Sequence, residues 1–421
     1  MSTYVAAHSS TPGNTPQDKV IPLKITPKLE SYQKILSPAI IGIGLAHFIT
    51  HVLEFALPPL FPLLIEEFQF SYSKVGILSS VVILTMFIFQ TPLGHLSDKK
   101  GRKVLLVSFS MILVAGTFLT GFSQVFIHLL IFQVVVGVGA SAYHSAGMAL
   151  ASDIAPKKRI GRFMAIQGFG GTLGVATAPF IVTIFATALG WRTALQSTAL
   201  VITPIVVLIW WLLKTSDNTN PAQEKDTVVL PKIVIVFILL GFLLQGFVFR
   251  GIISFFPTYL VDIHGSTLKL AGALTSLLFL GGAFAEFAGG EWADRTEKLN
   301  IVVISYGMRC LLLYLITTVY HETALIALVV TFGFIQGLSI PALVSLIRDM
   351  SPPDSAGRSY GAVFSSTTLT GFFSPLIVGY IADIYDLHVS FHILTIALLI
   401  AFLCSVLARY FKHAKTSYTG S

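Results

Sequence analysis

Twelve long apolar runs divide this chain, and they constrain its fold more than any other feature of the sequence. A transmembrane helix needs about 20 predominantly apolar residues, and backbone within lipid must satisfy its own hydrogen bonds, so such runs indicate helices rather than strands. With 54% hydrophobic and 11% charged residues, the chain is too apolar for an ordinary soluble domain. We therefore predict an all-α polytopic membrane protein with twelve transmembrane helices, at residues 38–65, 74–94, 103–123, 125–151, 161–188, 192–213, 232–261, 267–290, 300–320, 323–347, 358–382 and 389–411.

The positive charges fall mainly on alternate loops between these runs. Of the 27 Lys and Arg residues, 22 lie in the two terminal segments or in loops on the same predicted side as the termini. The other five are Lys74, Arg192 and Lys269 on the opposite side and Arg250 and Arg309 within predicted helices. Short cytoplasmic loops are rich in Lys and Arg, so this asymmetry predicts a plasma (inner) membrane protein with both termini in the cytoplasm. Topology thus explains the net charge of +7, and we expect no nucleic-acid partner.

The chain repeats itself at a shift of 196 residues, the separation of Asp98 and Asp294 (294 − 98 = 196). Eight of the identities at this ungapped shift pair Gly94 with Gly290, Asp98 with Asp294, Gly137 with Gly333, Asp153 with Asp349, Pro156 with Pro352, Gly161 with Gly357, Arg162 with Arg358 and Pro179 with Pro375. Because 196 residues hold six helices, the sequence predicts two pseudo-symmetric six-helix bundles. The predicted units are a flexible cytoplasmic tail at 1–35, an N-terminal bundle at 36–214, a cytoplasmic linker at 215–231, a C-terminal bundle at 232–412 and a cytoplasmic tail at 413–421.

The loop between the second and third runs reads Gly94-His-Leu-Ser-Asp98-Lys-Lys-Gly101-Arg102-Lys103, and a weaker copy occurs at 290–295. In sequence and position, this loop resembles the loop signature of the major facilitator superfamily. The resemblance implies that superfamily's fold of twelve helices around a central cavity. We expect Asp98 and Asp294 to hydrogen-bond a neighbouring helix N-terminus and close an inner gate. For the basic residues, a purely topological role is the alternative. The predicted gating residues are Gly94, Asp98, Gly101, Arg102, Asp153, Arg162, Asp294, Arg295, Asp349 and Arg358.

Within the superfamily, the N-terminal half resembles the fosmidomycin resistance branch. The resemblance lies in His47 followed by Pro62, in Gly137-Val-Gly-Ala-Ser-Ala-Tyr-His144, and in Gln167-Gly-Phe-Gly-Gly-Thr-Leu-Gly174 followed by Pro179. It implies a proton-driven efflux pump in which the first, fourth, seventh and tenth helices line the cavity. In that arrangement, His47 and His144 approach one another on the inner side of the cavity.

Three titratable residues lie on one face of the first predicted helix. His47, His51 and Glu54 are spaced by four and three residues, and ionisable groups within a membrane are usually functional. Histidine changes charge near neutral pH, so we predict that these three residues and His144 carry protons. No P-loop pattern occurs, so we expect a proton gradient as the energy source and no cofactor. The spacing also resembles a zinc-binding helix, but Phe48 stands where that motif has its carboxylate, and we expect no metal.

The repeat also pairs a carboxylate with a guanidinium, because Glu54 shifted by 196 positions is Arg250. Equivalent helices face each other across the pseudo-twofold axis, so these two side chains are predicted to meet near the membrane centre. Two interpretations remain open: a structural buried ion pair, or a switch in which protonation of Glu54 releases Arg250 to hold an anionic solute. The predicted substrate-binding residues are Arg250, Gln167, Tyr143 and Gln245.

These patterns favour a secondary active transporter that works by alternating access. We predict proton-coupled export of a small amphipathic or anionic compound by a monomer in a lipid bilayer. The alternative is proton-coupled uptake of an organic anion by symport, and a non-transporting membrane sensor is less favoured. No nucleophile elbow occurs, so we do not expect an enzyme. We expect Arg309 to have a structural partner, with Glu286 as the candidate, rather than to contact substrate, and Cys310 and Cys404 to pack without forming a disulfide.

Overall fold

The computed structural model describes residues 37–154, 160–213, 231–350 and 356–419. The twelve predicted transmembrane helices are confirmed within this part of the chain. They are α1 Pro38–Phe68, α2 Tyr72–Lys100, α3 Arg102–Thr120, α4 Phe126–Ile154, α5 Ile160–Leu189, α6 Trp191–Leu212, α7 Lys232–Asp262, α8 Leu268–Arg295, α9 Lys298–Thr318, α10 Glu322–Met350, α11 Ala356–Ile384 and α12 Leu387–Thr419. Outside the described residues lie the predicted tail 1–35, the linker 215–231 except its last residue, Pro156, Pro352 and the side chains of Arg162 and Arg358.

Two of the twelve helices are interrupted, which the apolar runs did not predict. The first, α1, is α-helical over Pro38–Glu54 and resumes at Phe61–Phe68 after a 3-10 turn at Pro58–Leu60. Two prolines in that turn lack the N–H groups needed to continue an α-helical ladder, so the long part of α1 ends at Glu54. The second, α4, contains a π-helical turn at Tyr143–Gly147. Such turns often occur at functional sites, and both interruptions lie beside the polar residues described below.

The two six-helix halves carry equivalent ion pairs at the end of the molecule that carries the termini. Arg102 at the start of α3 binds Asp153 near the end of α4, and Lys298 at the start of α9 binds Asp349 near the end of α10 at 2.5 Å. Both members of the second pair lie 196 positions beyond the first (298 − 102 and 349 − 153). The parallel repeat is therefore confirmed in three dimensions. Lys298 was not found by comparing identical residues, because it corresponds to Arg102 in charge and not in identity.

The hydrophobic core joins the two halves at the end opposite the start of α1, which we call the outer end. One buried cluster there draws on both halves, and in it the rings of Phe61 and Phe255 approach to 6.0 Å between centroids. Toward the end with the termini, the cluster around Ile43 belongs to the N-terminal half and the cluster around Tyr306 to the C-terminal half. The buried clusters thus join the two halves at the outer end and are separate at the other.

Polar contacts reinforce the outer closure. Asp383, near the end of α11, accepts hydrogen bonds from the backbone N–H groups of Tyr72 and Ser73 at 2.7 and 3.0 Å. Asp262, at the end of α7, accepts a hydrogen bond from the Tyr72 hydroxyl. We call these four residues the outer latch, because each contact joins the N-terminal half to the C-terminal half.

Candidate functional site

A continuous chain of hydrogen bonds crosses the centre of the molecule from α5 to α7. His47 Nδ1 lies 3.0 Å from the backbone carbonyl oxygen of Gln167, and His47 Nε2 lies 3.0 Å from His51 Nε2. His51 Nδ1 lies 2.8 Å from Glu54 Oε2, and Glu54 Oε1 accepts from Arg250 Nη1 at 2.7 Å. We call these five residues the polar chain. It connects titratable groups of the N-terminal half to a permanent cation of the C-terminal half.

The sequence of α1 explains why this chain forms. His47, His51 and Glu54 are about one turn apart, so their side chains follow one another along a single helix face. The Glu54 side chain is 1% exposed and that of Arg250 is 16% exposed. A buried carboxylate without a cation is strongly unfavourable, and the repeat supplies the cation at the matching position of α7. The predicted meeting of Glu54 and Arg250 is confirmed.

Three neighbours fix the ring of His47. Tyr143 stacks on it with centroids 4.2 Å apart and planes 15° apart, and the Tyr143 hydroxyl donates to the side-chain oxygen of Gln167. Gly171 of α5 leaves room for the imidazole, because a Cβ at that position would collide with the ring. Tyr143 and Gln167 are both buried. The structure therefore places these two predicted substrate-binding residues behind His47, where they orient its ring.

His144 completes a cluster of three imidazoles. The π-helical turn of α4 brings its ring centroid to 5.8 Å from that of His47 and 5.4 Å from that of His51. The predicted approach of His47 and His144 is confirmed in position. Ring nitrogens of the three residues lie within 4.8 Å of one another, which is a spacing that a metal ion can bridge. Two of these nitrogens already contact each other at hydrogen-bond distance, and the absence of a metal stays a prediction.

A cavity of about 180 Å³ lies between the two halves. From the N-terminal half it is lined by His47, His51 and Thr172, and from the C-terminal half by Phe249, Glu286 and Gln336. Sites for small molecules are typically roughly 300 to 1,000 Å³ and mostly apolar, with a few polar groups that orient the ligand. The cavity is smaller than this range but has such a lining, with two residues of the polar chain in its wall.

The predicted pairing of Arg309 with Glu286 is wrong. Arg309 is fully buried and donates to the side-chain oxygens of Gln245 and Gln336. Glu286 faces the cavity instead and accepts from Thr172 Oγ1 at 3.0 Å. A guanidinium has five N–H donors that neutral amides can satisfy, so opposite charge alone did not identify its partner. Gln245, another predicted substrate-binding residue, therefore positions Arg309.

The predicted gating residues of the first half contact one another. Arg102 bridges Asp98, at 3.0 Å, and Asp153. Gly101 precedes α3 with a φ of 91°, a conformation that favours glycine. Gly94 lies against Ser145 of its own half. These contacts fix the α2–α3 loop against α4.

In the second half, the equivalent contacts differ in detail. Arg295 binds Glu291 at 2.5 Å, while Asp294 is exposed. Asp349 binds Lys298, as described above. The ion pairs of Arg102, Arg295, Lys298 and Lys412 described at this end of the molecule each join residues of one half, and the closing of an inner gate stays a prediction.

Glu297, in the turn between α8 and α9, ties α12 to this end of the C-terminal half. Its carboxylate accepts from Lys412 at 2.7 Å and lies 3.2 Å from His413 Nε2. Burial opposes the charged carboxylate, but the hydrogen bond and charge of Lys412 outweigh burial, so the pKa of Glu297 lies below its ordinary value. Neither the repeat nor the loop signature pointed to this residue.

The fold and site together define a class of protein: a polytopic helical membrane protein whose two equivalent halves enclose a cavity with titratable walls. Residues 43–273 and 238–419 match the sequence profile of the Major Facilitator Superfamily. This chain belongs to that superfamily, and it is a multi-pass membrane transporter rather than an enzyme.

Individual relatives are distant but cover most of the chain. The multidrug resistance protein MdtG of Proteus mirabilis is 24% identical over 358 residues, which are 79% of this chain and 86% of that protein. The probable nitrate transporter NarT of Staphylococcus epidermidis is 23% identical over 363 residues, 83% of this chain and 90% of that protein. A bacterial homologue of the human lysosomal transporter Spinster, in an inward-facing and occupied conformation, superimposes with a TM-score of 0.76 at 15% identity, covering 91% of this chain and 97% of that one. This last likeness concerns the fold alone.

Proposed function

We propose that this transporter exports a small amphipathic or anionic compound in exchange for protons, by alternating access between the two sides of the membrane. The observation that supports the proposal is the polar chain. Its hydrogen bonds require one more proton than two neutral histidines and an ionised Glu54 would supply.

The proton count follows from the donors and acceptors of the chain. A backbone carbonyl only accepts, so His47 Nδ1 carries a hydrogen toward Gln167. The contact between the two Nε2 atoms needs one hydrogen, and the contact between His51 Nδ1 and Glu54 needs another. These three hydrogens exceed by one the two that neutral imidazoles provide. The additional proton therefore resides on the imidazole pair or on Glu54, beside Arg250.

Loss of that proton disrupts the chain and provides the coupling. Without it, either the contact between His47 and His51 or the contact between His51 and Glu54 has no hydrogen, and its facing lone pairs repel, so these side chains must move apart. His47 and His51 line the cavity, so their movement changes the wall against which a solute lies. A ligand or proton shifts a conformational equilibrium when it interacts differently with the two states, and the polar chain supplies such a difference.

A second candidate is uptake of an organic anion together with protons, and it is favoured by Arg250. If the additional proton resides on Glu54, the guanidinium loses its counter-charge and can hold an anion. The names of the relatives include both multidrug resistance and probable nitrate transport. We prefer export because Arg250 is engaged by Glu54 at 2.7 Å in this conformation. The resemblance to the fosmidomycin resistance branch, which stays a prediction, also points to efflux.

We further propose that the protein resides in the plasma (inner) membrane with both termini in the cytoplasm, on the basis of its Lys and Arg distribution. The separated ends of the two halves then face the cytoplasm, where a solute for export would enter. One chain supplies both walls of the cavity, so we expect a monomer whose partners are the bilayer and its solute, without a cofactor.

Solute efflux from loaded liposomes tests the proposal. Purified protein is reconstituted with a pH-sensitive dye in the lumen, and vesicles loaded with a candidate solute are diluted into solute-free buffer at the same pH. Antiport predicts that the lumen acidifies as the solute leaves, whereas symport predicts that it becomes alkaline. A solute that leaves through the protein without any change in luminal pH contradicts proton coupling. Protein-free liposomes loaded with the same solute measure passive leakage.

A further inference from the structure

Glu286 is a cavity carboxylate with no basic side chain in contact among the described residues. Its hydrogen bond comes from the neutral hydroxyl of Thr172, at 3.0 Å. The two arginines embedded in the membrane have other partners, since Arg250 binds Glu54 and Arg309 binds two amides. A carboxylate in apolar surroundings is strongly unfavourable unless a cation or several donors meet it. The protein itself therefore supplies no basic partner for the ionised form of Glu286 among the described residues, and a cation in the cavity would stabilise that form.

The rest of the cavity wall near Glu286 is apolar and aromatic. Phe249 of α7 and Phe279 of α8 meet edge to face with centroids 5.8 Å apart, and Val175 and Leu278 line the same space. Aromatic rings attract cations as well as hydrocarbon. This combination suits a ligand with an apolar body and a single positive charge.

We infer that this cavity binds an amphipathic organic cation, whose charged nitrogen is bound by Glu286 and whose apolar body packs against Phe249 and Phe279. The inference rests on the proposed function and narrows the substrate class of the same site. An anion is disfavoured because Glu286 repels it. Arg250, which would attract an anion, lines an adjoining pocket together with Glu54.

The same geometry explains exchange of the cation for a proton. His47 and His51 line the cavity from the half opposite Glu286. The groups that face Glu286 from α5 and α10 are Thr172 and Gln336, which carry no charge. The other charged or titratable groups nearby are His144 behind the imidazole pair, Arg250 in its pair with Glu54, and Arg309, which donates to Gln336. A proton on the imidazole pair repels a cation in the cavity, so the two occupy the site in turn.

Equilibrium binding to purified protein in lipid nanodiscs tests this inference. The probe is 1-methyl-4-phenylpyridinium, a flat apolar cation with a permanent charge. Its controls are 4-phenylpyridine N-oxide, which has nearly the same shape and no net charge, and biphenyl-4-carboxylate, an anion. Binding is compared between the parent protein, Glu286→Gln, and Glu291→Gln. Glu291 is the matched control because it is also on α8, is exposed, and pairs with Arg295.

We expect the parent protein and Glu291→Gln to bind the cation equally and to prefer it over both controls. Glu286→Gln is expected to bind the cation about tenfold or more weakly, because an ionic hydrogen bond is lost, and to retain its affinity for the neutral compound. Undiminished cation binding by a folded Glu286→Gln, preference of the parent for the anion, or no measurable cation binding by the parent overturns the inference.

A chemical test on the unmutated protein avoids dependence on the folding of a variant. Dicyclohexylcarbodiimide reacts with carboxyl groups in apolar surroundings, and mass spectrometry of peptides locates the product. We expect labelling of Glu286 that 1-methyl-4-phenylpyridinium suppresses and biphenyl-4-carboxylate does not. Labelling that the cation leaves unchanged contradicts the inference.

These equilibrium measurements are independent of proton coupling. Cation-selective binding without proton movement in liposomes contradicts the proposed antiport and leaves the assignment of the cavity intact. Proton movement that is driven only by anions contradicts the cation assignment and leaves coupling intact.

Discussion

The hydroxyl of Tyr72 donates to the carboxylate of Asp262 at 2.9 Å, across the outer end of the molecule. Tyr72 begins α2 in the N-terminal half, and Asp262 ends α7 in the C-terminal half. Beside them, the carboxylate of Asp383 accepts two N–H groups from the first turn of α2. A helix N-terminus carries partial positive charge, so a carboxylate from the opposite half stabilises outer closure by charge as well as by hydrogen bonding. These contacts must break whenever the cavity opens outward.

Asp383→Asn is therefore expected to favour outward opening. Asp383 is exposed, and a charge at a helix N-terminus contributes about 0.3–1 kcal/mol at an exposed site, so its loss should reduce the preference for outer closure by about two- to fivefold. The measurement uses Gly168→Cys, a cavity position with open space around it, in a protein whose two native cysteines are replaced. A membrane-impermeant maleimide added from the outer side should label this cysteine faster in Asp383→Asn.

Asp386→Asn provides the matched control for the outer latch. Asp386 accepts from the backbone N–H of Val389 at 2.7 Å and so caps α12 within its own half. Its replacement should leave the labelling rate unchanged. Equal rates for Asp383→Asn and the parent protein would show that the latch does not govern outer closure.

The buried pair of Glu54 and Arg250 should be necessary for stability. Removal of one partner leaves the other charge buried and unpaired, so Glu54→Gln and Arg250→Gln are each expected to cost about 3–5 kcal/mol. The double variant should be more stable than either single variant. Thermal melting in detergent measures this order. Glu291→Gln breaks an exposed pair, with side chains 66% and 74% exposed, and should cost less than about 1 kcal/mol.

Arg250→Lys distinguishes the structural interpretation of this pair from the functional one. Lysine keeps the charge but loses the planar fork of the guanidinium. We expect a lower transport rate with an altered pH dependence, measured in liposomes on protein that melts at the parent temperature. A variant that matches the parent in rate and pH dependence favours a purely structural pair.

Much of this architecture could be predicted because it depends on long or repeated patterns. Apolar runs of membrane length identified all twelve helices, and the 196-residue shift predicted the contact of Glu54 with Arg250. Helical spacing alone placed His47, His51 and Glu54 on one face. These inferences need only the period of a helix and the equivalence of two halves, so they do not depend on side-chain detail.

The positions of individual hydrogen bonds could not be predicted in this way. The binding of substrate by Tyr143 and Gln167 stays a prediction, and helical spacing did not predict that Tyr143 stacks on His47 at the start of a π-helical turn. Glu286 was paired with Arg309 because their charges are opposite, whereas amides satisfy the arginine. The signal that was missed is Gly282, one turn before Glu286, because a small residue on the same face of α8 leaves space for a cavity.

His51→Gln should uncouple protons from solute movement. Glutamine forms hydrogen bonds but does not titrate, so it cannot take part in loading and releasing the proton shared by His47, His51 and Glu54. We expect solute-driven acidification of the liposome lumen to disappear. The control is His392→Gln, because His392 and His388 form a similar pair on α12 with Nε2 atoms 3.1 Å apart, outside the cavity wall described above. Acidification that persists in His51→Gln contradicts the role of the polar chain.

Substitutions of Tyr143 test whether the orientation of the His47 ring affects proton flux separately from the stability of the protein. Tyr143→Phe keeps the ring that stacks on His47 but leaves a buried oxygen of Gln167 without its donor, which should cost about 1–3 kcal/mol. Tyr143→Leu removes both the stack and the donor. The stack holds the imidazole of His47 toward His51, so we expect only Tyr143→Leu to change the pH at which proton flux is half-maximal. Both variants should melt at a lower temperature than the parent protein. Tyr306→Phe is the control, since the buried Tyr306 hydroxyl donates to Gly241 outside the site, and its pH profile should match that of the parent. An unchanged profile in Tyr143→Leu would assign Tyr143 to packing alone.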